Sequence, residues 1–394
     1  MSISINIKGM ISRSSWIRKM FEEGARLKSL HGSDNVFDFS LGNPNLPPPP
    51  EFFTALKSLV CSGDNTRHGY MPNAGYPEVR RSVAQHVSSE QDTDVSESEV
   101  IMTCGAAGAL NVILKTLLDQ GDEVIAPSPF FVEYGAYVAN HGGVLKSVAV
   151  NDDFSLDMGL IFETITEKTK AVLINSPHNP TGQIYPREIL EELGRLLESR
   201  GKQYGRTLYL ISDEPYRKIV YDGLVVPSLF GCYRNSLIAT SYSKDISIPG
   251  ERIGFIAVNP DAEYKQDLMD GLAIANRILG FVNAPALMQQ VISAIQGVSV
   301  DVSIYQRKRD LLCDGLADAG YDFIKPPGAF YLFPQTPIAD DVEFVNALQE
   351  ELILVVPGSG FGCPGHFRIA YCVDDRTIVN SIPGFRKVMQ RYGR

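Results

Sequence analysis

From about residue 100 to 260, short apolar runs alternate with amphipathic stretches. The runs VIMTC, EVIAP, VLKSVAV, AVLINS, LYLISD, LIATSY and IGFIAV have strand length and β-branched character, and helical patterns at 106–118, 131–140 and 187–200 separate several of them. This alternation predicts an α/β fold with a large, mostly parallel seven-stranded sheet between helices. Ligands of such sheets bind at the carboxyl ends of the strands. After about residue 284 the pattern changes, with helices expected at 284–297, 301–319 and 375–391 and short strands near 329–333, 352–356 and 367–371. That predicts a smaller α+β unit. The segment LGNPNLPPPP at 41–50 is too proline-rich for a helix and reads as a link. The expected division is an N-terminal arm with part of the small domain at 1–50, a large domain at 51–283 and a small C-terminal domain at 284–394. No internal repeat is visible.

Composition narrows the function. The chain has 394 residues, 44% of them hydrophobic, which supports a sizeable core. A formal charge of −10 without a basic run argues against nucleic acid and anionic membrane surfaces as partners. Six cysteines and six histidines show neither a C-x-x-C pair nor zinc-like spacing, so no metal is expected and the thiols read as those of a reducing cytoplasm. The N-terminus MSISINIKGMISRSSW lacks a continuous apolar core and a small-residue cleavage site, and no stretch approaches the roughly 18 apolar residues of a membrane span. These features predict an unexported, cytoplasmic protein.

The segment SYSKDISIPGERIG at 241–254 sets Lys244 among the hydroxyls of Ser241 and Ser243 and places Arg252 eight positions on. An amine can condense with an aldehyde, while an arginine with hydroxyls can hold a phosphate dianion. Pyridoxal phosphate meets both needs; a solvated loop lysine is the plain alternative. In TCGAAGAL a strand ends at Gly105, Ala106 and Ala107 where a helix begins, which suits a phosphate at the helix N-terminus or an ordinary small-residue turn. NSPHNPTGQIY fixes Asn179 in a βα turn, where its amide can donate to a phenolate oxygen. LYLISDEPYRKI puts Asp213 at a strand end, followed by Tyr216. That carboxylate can keep a pyridine nitrogen protonated or cap a helix. Phe131 in PSPFFVEY offers a ring for stacking or a core residue, and Arg368 in HFRIAY is either a buried carboxylate fork or an exposed edge-strand arginine.

The order GAAGAL, PSPFFVEY, NSPHNPTG, SDEPY, SYSK…GERIG, FRIAY resembles the class I/II aminotransferases of the aspartate aminotransferase superfamily, fold type I, from about residue 11 to the C-terminus. The resemblance implies pyridoxal 5'-phosphate as cofactor, a Schiff base on Lys244, Asp213 on the pyridine nitrogen, and Asn179 and Tyr216 on the ring oxygen. It implies that Ala106, Ala107, Ser241, Ser243 and Arg252 hold the phosphate, that Phe131 stacks on the ring and that Arg368 binds the substrate α-carboxylate. Tyr70 in RHGYMPNAGY matches a tyrosine that reaches the phosphate of a neighbouring subunit, which implies a homodimer. Gly42 matches a glycine whose backbone lies near the substrate. Two departures stand out: phenylalanine occupies a stacking position more often held by Tyr or Trp, and no residue matches the second arginine that recognises dicarboxylic side chains in some members. The implied reaction moves an amino group from an L-amino acid to a 2-oxo acid in two half-reactions, with Lys244 as anchor and acid/base. A C–S β-lyase of the same fold is the alternative, and a non-catalytic sensor a more distant one.

Overall fold

The computed structural model describes residues 3–4, 7–9, 16–63 and 68–392; much of the N-terminal segment examined for export signals, and Arg67 at the head of the Tyr70 loop, lie outside them. Strands β1 (Phe37–Asp38), β2 (Val100–Thr103), β3 (Glu123–Ser128), β4 (Val144–Ala149), β5 (Thr169–Asn175) and β6 (Tyr209–Asp213) are followed by β7 (Ser236–Ser241) and β8 (Gly254–Val258). The chain then forms β9 (Tyr331–Leu332), β10 (Ile353–Leu354), β11 (Val356–Pro357) and β12 (Phe367–Ala370). The seven apolar runs become β2 to β8, one sheet in the order β2-β8-β7-β6-β5-β3-β4.

Pairing is parallel from β4 through β7, whereas β8 runs antiparallel to both β7 and β2. The reversal matters, because it brings the N-terminal end of β8, just after Arg252, to the edge where the other strands end. Successive side chains alternate between faces. Met102, Ile125, Val172, Leu210 and Ile238 enter one apolar core, and Ile101, Val124, Leu173, Ile211 and Leu237 enter the other. Full burial of each such side chain stabilises by about 1.5–3 kcal/mol.

A third core joins the helices Val302–Asp318, Asp341–Glu350 and Asp375–Arg391 to the small sheet β11-β12-β9 and to the β1–β10 pair. The expected strand near 352–356 is two strands with different partners, since β10 pairs with β1 and β11 with β12. The helix expected at 131–140 begins only at Tyr134, with Glu133 at its N-cap, because Phe131 and Val132 turn towards a cavity. That at 284–297 is Ala286–Ala294, with Pro285 at its N-cap. The linking segment 41–49 is irregular and ends where the helix Pro50–Cys61 starts, with proline at its first position. No helix among the described residues is long and apolar enough to cross a membrane. They also contain no metal-holding cluster of His, Cys, Asp and Glu.

Candidate active site

The carboxyl ends of the central strands open into a cavity of about 1130 Å³. Twelve of the singled-out residues line it: Gly42, Ala106, Ala107, Phe131, Asn179, Asp213, Tyr216, Ser241, Ser243, Lys244, Arg252 and Arg368. Sheet register explains the convergence. Asn175 stands opposite Asp213, Asp213 opposite Ala239, and Ser241 opposite Gly254, which in turn faces Thr103. Residues hundreds of positions apart therefore finish at one edge.

At one end of the cavity the helix Gly105–Leu117 presents its N-terminus with no side-chain cap, so its first amides remain available to an anion. Gly105 has φ 71°, and a Cβ there would lie 2.7 Å from Arg252 Nη2. Glycine thus lets the guanidinium close on the helix terminus. Arg252 Nη1 donates to Pro249 O, leaving the rest of the fork towards the cavity that Ser241 and Ser243 also line.

At the other end lies Asp213. It caps no helix, since a turn follows it, and it is buried. Burial pushes its carboxyl up to about 7, against the lowering effect of a 2.6 Å hydrogen bond donated by Tyr134 to Oδ2. Oδ1 has no partner. A buried carboxylate with one orphaned oxygen suits a protonated ring nitrogen. Asn175 supports this end: its Nδ2 donates to Asp213 O and its Oδ1 accepts from Asn179 N, both at 2.6 Å.

Lys244 reaches the centre. Burial lowers its amine to about 8, and Nζ donates to Gly42 O at 2.6 Å. The amine lies 5.9 Å from the Tyr216 ring centre and 5.7 Å from that of Phe330. Arg368 on β12 is buried, not an edge residue; Nη1 donates to Asn179 Oδ1 at 3.1 Å, Nη2 donates to Ser40 O, and Nε is unpartnered. Tyr216 OH and Tyr331 OH are 2.7 Å apart. Both cationic groups are therefore held by carbonyls of the strap 40–42. Ser40 is itself fixed by Asp38, whose Oδ1 accepts from its amide and hydroxyl while Oδ2 accepts from Lys28 Nζ.

Tyr70 lies outside the lining and is 93% exposed, so it covers no core of its own chain. Sequence reading missed Tyr134, Tyr331, Asn175 and Ser40. Tyr134 stands three positions after Phe131, whose ring it meets edge-on at 5.6 Å, and that spacing in PSPFFVEY was the available signal. Asn175 opens the quoted NSPHNPTG string, four positions before Asn179, whereas Tyr331 and Ser40 carry no local mark. All six cysteines are unpaired, and Cys372 is buried close enough for its thiol to interact with Lys244.

A family model, aminotransferase class I and II, matches residues 34–382. A probable aspartate aminotransferase of Methanocaldococcus jannaschii is 31% identical over 366 residues, covering 91% of this chain and 94% of that protein. The aspartate/prephenate aminotransferase of Thermus thermophilus is 32% identical over 357 residues, covering 89% and 90%. Among solved structures, an amino transferase from Eubacterium rectale superposes with TM-score 0.97 at 39% identity over all of both chains. The aspartate aminotransferase from Thermus thermophilus with maleate gives 0.86 at 27% identity, covering 98% and 100%.

Proposed function

Since the chain belongs to the class I and II aminotransferases, an α/β family of fold type I, we propose that its cavity holds pyridoxal 5'-phosphate, with an amino acid and a 2-oxo acid as alternating substrates. One observation carries this reading: a buried amine, a carboxylate with an orphaned oxygen and an uncapped helix terminus beside an arginine share a single cavity. The donor set fits the group. Ala106, Ala107, Ser241, Ser243 and Arg252 would take the phosphate, with Gly105 giving the guanidinium room; Phe131 would stack on the ring, Asp213 would face its nitrogen, and Asn179 and Tyr216 its oxygen. When bound, the cofactor supplies an aldehyde for covalent attachment and a ring that withdraws electrons from the substrate Cα.

The residues divide the remaining work. Arg368 grips the α-carboxylate common to all amino acids, a bidentate task suited to a buried fork. Gly42 keeps the strap backbone beside the substrate. Lys244, with an amine near neutrality, carries the proton to and from Cα; a pKa close to working pH favours both directions. Tyr134 holds Asp213 by one oxygen and leaves the other free. Tyr70 would complete the phosphate cup of a partner subunit in a homodimer, and the unpaired thiols support a reducing, cytoplasmic setting. The relatives described above bear aminotransferase names, and none bears a lyase or sensor name. The test is borohydride reduction of the yellow holoenzyme followed by peptide mapping, with Lys244→Ala as control. Reduced cofactor on Lys244, absent in the variant together with turnover, is expected; attachment to another lysine would overturn the assignment.

A further inference from the structure

Beyond the groups assigned above, the cavity has a stretch of wall with a definite character. Leu41, next to Gly42, and Val132, next to Phe131, line it together with Ile7, and Leu41 and Ile7 expose 41% and 49% of their surface. An exposed leucine or isoleucine is unremarkable alone, but three apolar side chains facing one cavity form a surface on which an apolar group can be buried. Glu133, next in sequence to Val132, also lines the cavity and forms no ion pair among the described residues. The cationic side chains of the lining are Lys244, Arg252 and Arg368, and the proposed function already uses all three. Nothing among the described residues of the lining is left to neutralise a second substrate carboxylate, while Glu133 would repel one.

We infer that this wall selects L-amino acids with uncharged, predominantly apolar side chains and that Glu133 is the residue that rejects dicarboxylic ones; the inference rests on the aminotransferase reading of the same site. It sets this chain apart from relatives named for aspartate. Selection of this kind needs a repulsive element as well as an attractive one, and the unpaired carboxylate provides it. Like charges in a partly desolvated site cost on the order of 10- to 100-fold in binding.

The experiment uses the holoenzyme. Dissociation constants are measured by spectral titration with α-methyl-leucine, α-methyl-methionine and α-methyl-aspartate, which lack the Cα proton and cannot react. Single-turnover loss of the cofactor's visible band is then followed with leucine, methionine, phenylalanine, aspartate and glutamate. At least tenfold tighter binding and faster reaction of the neutral class is expected, and Glu133→Gln should narrow the ratio between the classes about tenfold. Faster reaction with aspartate or glutamate, or a ratio that Glu133→Gln leaves unmoved, would overturn the inference while leaving the aminotransferase reading intact. No spectral change with any amino acid would overturn both.

Discussion

Asp213→Asn should move stability and catalysis in opposite directions. In a cofactor-free preparation, burial holds this carboxyl at about 7 against an ordinary 3.8. Between those two pH values the folded protein keeps a proton that the unfolded chain has released, so stability falls as pH rises from about 4 to about 7 and stays low above that. The gap of about three pH units corresponds to a cost on the order of 4 kcal/mol for the charged form at pH 8. Asparagine is nearly isosteric; its carbonyl can still accept from the Tyr134 hydroxyl, and it carries no charge to desolvate. The cofactor-free variant should therefore melt higher than the cofactor-free parent at pH 8, with the difference vanishing towards pH 4. Asp245, which burial also raises, titrates in both proteins and drops out of the comparison, whereas Glu214, also raised by burial, repels the Asp213 carboxylate and so adds to the parent's loss of stability at high pH. Catalysis moves the other way: an amide cannot keep the ring nitrogen protonated, so turnover of the reconstituted variant should fall steeply. Thermal melts of both cofactor-free proteins at pH 4, 6 and 8, beside kcat of the reconstituted enzymes, make the assay. A variant less stable at pH 8, or a stability difference that ignores pH, would refute the argument from burial.

Three further outcomes are expected. Arg368→Ala should lower kcat/KM for every amino acid by about 30- to 5,000-fold, the range for truncating one partner of a buried hydrogen-bonded charge pair; a loss confined to acidic substrates would move the residue to the side-chain pocket. Gly42→Ala should cut kcat/KM without unfolding the protein, since the new Cβ would stand 1.9 Å from Tyr331 Oη and push apart the Tyr331–Tyr216 contact and the strap carbonyl that receives Lys244; circular dichroism beside kinetics checks this. Inactive Tyr70→Arg and inactive Lys244→Ala chains, mixed under verified subunit exchange, should regain activity, because a mixed dimer gathers both defects in one site and leaves the other whole; no recovery would place Tyr70 in its own chain's service.

Periodicity alone was enough for the seven strands of the main sheet, because each is a short apolar run bounded by turn residues, and for the broad change of character after residue 284. It was weaker where signals overlap. The helix Pro77–Gln91 is largely polar, and Trp16–His31 and Lys265–Ile278 mix apolar and charged residues closely, so the apolar stripe that marks them is weak and they gain their stability by docking. The direction of β8 has no signature in its own residues, since an apolar strand reads the same either way.

Lys244, Asp213, Asn179 and Arg252 were legible because each sits in a local string whose turn residues and spacing follow from the backbone that presents it. What the sequence could not contain is the set of contacts between distant segments. The bond from Tyr134 to Asp213 spans 79 positions, that from Arg368 to Ser40 328, and that from Lys244 to Gly42 202. Such pairs exist only once the sheet has aligned its strand ends and the strap has been laid between β10 and β12, where Phe39 donates to Leu354 O and accepts from Ala370 N. The sequence by itself determined which groups are available; tertiary packing decided their burial, and burial is what brings an aspartate up to about 7 and a lysine down to about 8 in the same cavity.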